Sequence, residues 1–462
     1  FIDKANKKGL FNGRIVVVKS TDSGGADAFS DQNGLYTHCV QGIEAGKKVE
    51  EKILNASISR VLAAKSEWDE VLKCAANPDM QIIISNTTEV GITLVKDNVH
   101  ASPPESFPGK LLAFLYQRFK VFQGDKTKGM VIIPTELIPD NGKKLEAILL
   151  ELAHQNGLET AFLDWLETYN YFCNSLVDRI VPGKLPAPQH QQMEADNGYR
   201  DALMIMSEAY SLWAIESDNE QVKNILSFSK ADAGVVIAPD INVFRELKLR
   251  LLNGSHTFSC GLAHLAGFGT VKQAMDDATF TAYISTLMLQ EIVPAITGNN
   301  ISVAMARDFA GKVLDRYRNP YIEHQWLSIT VQYASKMKMR NVPVLQKHYE
   351  LNGSIPEYMA LGFAAHLLFM KCSKADDGKY YGESNDKKYL VNDDHAAYYA
   401  TKWEHADGPA LVQKVLSDSS FWGADLSRFP GFTEAVTNKL DALVKKGSAA
   451  AMKSLQTDGV TA

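Results

Sequence analysis

Three polar side chains able to move protons or hold an oxygen stand close together in Lys248-Leu-Arg-Leu-Leu-Asn253-Gly-Ser-His256. Their neighbours Val243, Phe244, Leu247, Leu249, Leu251 and Leu252 are apolar, so the stretch reads as a largely buried helix. At about 100° per residue, Lys248 and Asn253 lie about 140° apart round the axis, and His256 lies about 60° back from Asn253. All three reach one side. A buried lysine is rare unless paired, and desolvation lowers its pKa toward the range where an amine trades protons near neutral pH. An amide and an imidazole beside it would polarise a carbonyl. The same residues also fit a plain structural reading: Lys248 reaches solvent along its stem, Asn253-Gly254 ends a helix, and His256 is a satisfied core histidine.

The chain that must position these groups has 462 residues, 45% hydrophobic and 22% charged, enough for two or more cores. A net charge of -6, with no long basic run and no interleaving of aromatic and basic residues, argues against a nucleic-acid partner. Cys39, Cys74, Cys173, Cys260 and Cys372 are scattered without zinc-site spacing, as expected of free thiols in a reducing compartment. No apolar run approaches the roughly 20 residues of a membrane span, and there is no secretory signal. The expectation is a cytoplasmic protein with a small-molecule partner. The chain opens on Phe1 and reaches its first strand almost at once, which reads as an opening piece lying upstream.

Two textures divide the chain. Up to residue 238, short apolar strands (14–19, 81–85, 129–134, 210–216, 234–238) alternate with helices (66–77, 107–122, 143–156, 160–166). This alternation implies an α/β domain whose mostly parallel sheet is covered on both faces. Ligands of such sheets bind beyond the carboxyl ends of the strands, where the polar turns from Ser85 to Gly91 and from Thr135 to Gly142 fall. From residue 239 to 462 nearly every segment has a 3.6-residue period, which implies a mostly α-helical domain. A polar loop over 373–394 and a frayed tail after Gly447 complete that expectation.

Neither G-x-G-x-x-G nor G-x-x-x-x-G-K-[S/T] occurs, so the strongest phosphate-cradling motifs are absent. Six other motifs occur in order: Asn33-Gly-Leu-Tyr-Thr37; Ser85-Asn-Thr-Thr-Glu89-Val-Gly-Ile92; Pro134-Thr-Glu-Leu-Ile138 with Asn141-Gly142; Leu176-Val-Asp-Arg-Ile180; Lys248-x4-Asn253-Gly-Ser-His256; and Arg318-Asn-Pro-Tyr-Ile322 with His324-Gln325. With them the chain resembles the polyol-specific long-chain dehydrogenases, the mannitol dehydrogenase and hexuronate reductase group, from about residue 1 to about residue 447. The resemblance implies a Rossmann-like NAD-binding domain over residues 1–238, lacking its first βα unit, and a helical substrate domain over 239–462. It implies metal-free hydride transfer in which Lys248 is the general acid/base, Asn253 and His256 hold the reacting oxygen, and Lys336 contacts substrate.

Further candidates for substrate binding are Arg318, His324, Asn141 and Arg340. For the cofactor they are Ser85, Asn86, Thr87, Thr88 and Glu89, with Asp22 beyond the first strand, where ribose hydroxyls are held. Lys19 at that strand's end leaves a 2'-phosphate open. The chain departs from the mannitol-type pattern at Glu136-Leu137, where those enzymes have Asp-Asn, and at Ser328, where they have arginine. Both departures fit the uronate-reducing branch. The implied reaction is reversible NAD-dependent reduction of a keto-hexuronate, D-tagaturonate, to the aldonate D-altronate. Fructuronate reduction, mannitol-type polyol oxidation and a catalytically silent sugar-acid binder are the alternatives.

Overall fold

Alternate residues of Met130-Val-Ile-Ile133 face two different cores, which is why that run is apolar without interruption. In a computed structural model, which describes residues 1–20, 26–88, 90–298 and 300–458, Met130 and Ile132 pack with Leu112, Leu145, Leu149 and Phe162. Val131 and Ile133 pack with Trp213, Val222 and Phe228. The chain divides into two units, Phe1–Gln41 with Val49–Phe244, and Gly42–Lys48 with Arg245–Ala462.

The strands before residue 239 are β1 (Ile15–Lys19), β2 (Tyr36–Glu44), β3 (Lys47–Asn55), β4 (Ile58–Ala63), β5 (Ile82–Ser85), β6 (Val131–Pro134), β7 (Tyr171–Phe172), β8 (Ser175–Asp178), β9 (Ile205–Ser207), β10 (Leu212–Glu216) and β11 (Val235–Ala238), all in the first unit except the ends of β2 and β3 that fall within Gly42–Lys48. Parallel pairs are β1 with β4, β2 with β9, β5 with β6, β6 with β7, and β10 with β11; β8 runs antiparallel to β10. The pair β2 and β3 went unread in the sequence, because Lys47-Lys-Val-Glu-Glu-Lys shows no clean apolar face. Its turn, Ala45-Gly46, takes positive φ at both residues (50° and 74°), as a two-residue hairpin turn requires.

β5 and β6 end in register, Ser85 opposite Pro134, so the turns that follow them emerge side by side. Helix Asn141–Gln155 starts directly after. A Cβ on Gly142 would stand 2.5 Å from Cys173 C and 2.7 Å from Asn174 N, so only glycine allows this close approach. Beneath the same strands Arg118, 1% exposed, donates to the carbonyls of Ala75, Asn77, Met80 and Lys128. One guanidinium thus satisfies the segments leading into β5 and β6.

The second unit is helical, and three of its helices each contain a π turn: residues 242–265 at Lys248–Gly254, residues 278–296 at Leu287–Ile292, and residues 333–352 at Met337–Asn341. Helix Glu357–Phe369 is apolar all round and runs through the core, with Met359, Ala360, Leu361 and Phe363 fully buried. Helix Ser255–Leu265 approaches it closely, since a Cβ on Gly362 would meet Phe258 O at 3.0 Å.

Three expectations need correction here. Residues 373–394 are not an unstructured loop but mostly an antiparallel sheet of β12 (Cys372–Lys374), β13 (Tyr380–Ser384) and β14 (Lys387–Leu390). Its second turn, Asn385-Asp386, has φ of 52° and 59°, which these two residue types tolerate best. Up to Asp458 the tail after Gly447 is not frayed: helix Phe432–Asp458 kinks at Gly447 and continues, burying Ala451, Met452 and Leu455, while residues 459–462 lie outside the described residues. The periodic run 326–339 is not one helix, because Gln332 turns to φ 54° and Asp393 Oδ2 accepts the Ala334 N–H at 2.8 Å at the start of a second. Among the described residues no helix is long and apolar enough to cross a membrane.

Two stability predictions follow from the buried polar groups. Arg118→Leu strands four carbonyls and should cost about 3 kcal/mol in the first unit, read as a lower denaturant midpoint; an unchanged midpoint would refute the clamp. His366 is fully buried, bonds Tyr399 Oη at 2.8 Å, and is pushed by burial down to about 3. A folded-state pKa below the unfolded value of 6.5 gives stability that is present above pH 6.5 and lost as the pH falls toward 3. At pH 5 the loss from this one group is about 2 kcal/mol relative to pH 7. His366→Gln should show a correspondingly shallower decline between those two pH values.

Candidate active site

Lys248 and Asn253 are five residues apart, and the backbone between them is a π turn, Lys248–Gly254. A π turn closes from residue i to i+5, so it stacks these two side chains nearly one above the other instead of leaving the offset of an α-helix. His256 follows three residues after Asn253, in the α-helical continuation, and lies on the same face. The backbone geometry thus puts the three on one side of the helix, with less offset between Lys248 and Asn253 than regular α spacing gives. Lys248 itself is half-buried.

His256 stacks on Tyr317, ring centroids 4.2 Å apart at 20°, and meets the edges of His324 at 5.2 Å and Trp326 at 5.8 Å. Part of its ring edge reaches solvent, but Nε2 is sealed and has no hydrogen-bond partner among the described residues. Burial, then His324 and the cations Arg316, Arg340 and Lys336, hold His256 well below its ordinary pKa. His324 is lowered by burial and by Arg316 and Lys336. Both imidazoles are neutral at pH 7, among fixed cations.

Lys336 donates to Ile329 O at 3.0 Å, and burial with the nearby Arg340 lowers its pKa, Asp393 opposing in part. Arg340 Nη1 donates to Thr257 Oγ1 at 3.1 Å, and Thr257 Oγ1 donates to Asn253 O at 2.7 Å. Arg316 and Tyr317 were missed in the sequence. They close helix Val303–Tyr317, whose charged positions read as a solvated face, and the only signal was their place immediately before Arg318-Asn-Pro.

Two further substrate candidates have bonds inside their own units. Arg318 is 3.5 Å from Asp315, which also accepts the Gly46 N–H at 3.1 Å. Asn141 is fully buried in the first unit. Its amide donates to the carbonyls of Pro134, Glu136 and Ser175 and its oxygen accepts from Gly142 N and Ser175 N, so it builds the turn and has nothing left for substrate.

The cofactor candidates divide by alternation. Ser85 Oγ, Thr87 N and Thr87 Oγ1 all donate to the buried Glu136, at 3.0, 2.8 and 2.8 Å, while Asn86 and Thr88 face outward. Glu136 is a third residue missed as a site member; it fixes the shape of the turn. Glu89 and Asp22 lie outside the described residues. Exposed amide and hydroxyl groups at the carboxyl ends of parallel strands fit the hydroxyls and amide of a nicotinamide nucleotide.

The Rossmann-domain model of mannitol dehydrogenase matches residues 1–227, and the mannitol dehydrogenase C-terminal domain matches residues 240–444. The chain is 36% identical to an altronate oxidoreductase of Bacillus subtilis (strain 168), over 99% of this chain and 92% of that protein. It is 36% identical to one of Escherichia coli (strain K12), over 98% and 93%. Its fold matches Pseudomonas fluorescens mannitol 2-dehydrogenase in a ternary complex with NAD and D-mannitol (TM-score 0.60, 23% identity, 96% of this chain and 88% of that one). It also matches a substrate-free D-sorbitol dehydrogenase (TM-score 0.73, 19% identity, 97% and 90%). With its Rossmann-type domain first and a helix-rich domain after it, the chain belongs to the mannitol dehydrogenase family.

Proposed function

We propose that this chain is an NAD-dependent oxidoreductase that reversibly reduces a keto-hexuronate, D-tagaturonate, to the aldonate D-altronate. The observation that carries the reading is the make-up of the group round His256. A polar, unpartnered Nε2 is set among Lys336, Arg340 and Arg316, and these cations suit a sugar that bears a carboxylate. The relatives' name, altronate oxidoreductase, supports the aldonate of this pair.

In reduction, Lys248 gives a proton to the ketone oxygen as it becomes a hydroxyl, and it takes that proton back in the reverse direction. Asn253 and the neutral His256 hold the oxygen through the change; no hydrogen bond occupies the Asn253 carboxamide among the described residues. Lys336 and Arg340, with Arg316 nearby, hold the carboxylate and so orient the sugar. Asn86 and Thr88, on the turn fixed by Glu136, hold the nucleotide. The nicotinamide, when bound, supplies or accepts the hydride.

The purified full-length protein should consume NADH, followed by its near-ultraviolet absorbance, when D-tagaturonate is added. No consumption with either tagaturonate or fructuronate would end the hexuronate reading, and equal or greater efficiency with NADPH would end the assignment of NAD. Lys248→Ala should lower kcat about 10²- to 10⁴-fold with NADH binding and fold intact. A folded variant with near wild-type turnover would remove the lysine from the mechanism. Lys336→Met should weaken use of the uronate more than reduction of a neutral ketohexose; an equal loss on both substrates would move the carboxylate anchor elsewhere.

A further inference from the structure

The π turn that stacks Lys248 and Asn253 is held from outside its own helix. Four consecutive carbonyls at its end, those of Leu251, Leu252, Asn253 and Gly254, each meet a side-chain donor. Ser255 Oγ donates to Leu251 O, and Tyr317 Oη, 2.9 Å from Ser255 Oγ, lies 3.0 Å from Leu252 O. Thr257 Oγ1 serves Asn253 O. The Asn341 carboxamide, oriented by its hydrogen-bond network, donates to Gly254 O at 3.2 Å and accepts from Phe258 N at 3.3 Å. Ser255 and Thr257 belong to the same helix, whereas Tyr317 and Asn341 come from two others.

The lacing is reciprocal. Arg250, inside the first π turn, donates through Nη1 to Met339 O and Arg340 O, both at 2.9 Å, inside the π turn Met337–Asn341. Asn341, the last residue of that second turn, is fully buried. Each π turn therefore supplies a donor to carbonyls of the other. A π turn is rare because its ladder is poorer than that of an α-helix, and a helix departs from α geometry where side chains intrude on the ladder. If these donors were lost, the helix would be free to close toward the α ladder, returning Lys248 and Asn253 to an offset of about 140°.

We propose that Asn341 and the Tyr317 hydroxyl are positioning residues: they hold the π turn open and thereby keep the Lys248 amine beside the Asn253 amide. Neither is required to touch substrate for this. The inference rests on the reading of Lys248 as the acid/base, and a double-mutant cycle separates the two.

The variants are Asn341→Ala, Tyr317→Phe and Lys248→Ala, with each of the first two also combined with the third, all assayed for kcat and for KM of NADH. Tyr317→Phe keeps the ring on His256 and removes one hydroxyl, so it carries the test if Asn341→Ala does not fold. The expected result is a loss of up to about 100-fold in kcat for each positioning variant, the scale of a small misplacement of reacting groups, with the KM of NADH unchanged. In the Lys248→Ala background neither substitution should lower kcat further. Losses that multiply with Lys248→Ala, or wild-type kcat in a folded positioning variant, overturn the inference. Wild-type kcat in Lys248→Ala alone would instead overturn the lysine mechanism.

Discussion

A one-residue change in the helical ladder is the constraint on which the second unit depends. In an α-helix Lys248 and Asn253 diverge; in the π turn Lys248–Gly254 they stack, and His256 follows on the same face. That conformation leaves backbone carbonyls in need of donors inside a protein core, where an unmet polar group costs about 1–3 kcal/mol. Tyr317, Thr257 and Asn341 meet that need, and each ties the turn to another part of the site. Tyr317 also carries the His256 ring, and Thr257 also receives Arg340. Holding the backbone and placing the charged groups are thus done by the same side chains.

The electrostatics follow from that placement. A histidine among cations cannot readily take up a proton, so His256 and His324 remain neutral, with one ring nitrogen donating and the other accepting. A neutral imidazole offers an oxygen a hydrogen bond without adding to the positive charge. Fixed charge comes from Lys336, Arg340 and Arg316, and desolvation weakens the hold of Lys336 on its own proton while Arg340 pushes the same way. An anion entering this group would relieve both effects, which is the physical ground for proposing a carboxylated sugar over a neutral polyol.

Much of this was legible in the sequence because it rests on residue type and order. His256, His324, Lys336 and Arg340 act on one another's charge, Lys248 and Asn253 share one helix with His256, and the alternation of β5 and β6 with helices gave the first unit its character. What escaped notice has a common cause. The same residues can form an α or a π turn, so no spacing announces Lys248–Gly254. Arg316 and Tyr317 end a helix with charged outward positions, and only tertiary packing turns them inward. Asn141 has the chemistry of a ligand-binding residue, yet its carboxamide is taken up by backbone groups. The strands β12 to β14 were hidden because their exposed positions are Ser373, Lys374, Glu383, Lys387 and Lys388, a loop-like composition, while Gly382 and Tyr389 are buried.

Glu136 shows how such a departure can be read once its bonds are known. Mannitol-type enzymes have Asp-Asn where this chain has Glu136-Leu137, and an asparagine there would present an amide. Here the glutamate is buried, and Ser85 and Thr87 donate to both its oxygens, while Leu137 stands exposed. The first unit thus spends its strand-end carboxylate on shaping the turn that presents Asn86 and Thr88, and it places no amide at residue 137. The donors proposed to act on the reacting oxygen then fall to Lys248, Asn253 and His256, and the positive charge to Lys336, Arg340 and Arg316. All six belong to the second unit, so the geometry of its laced π turns bears on both the proton transfer and the choice of an acidic sugar.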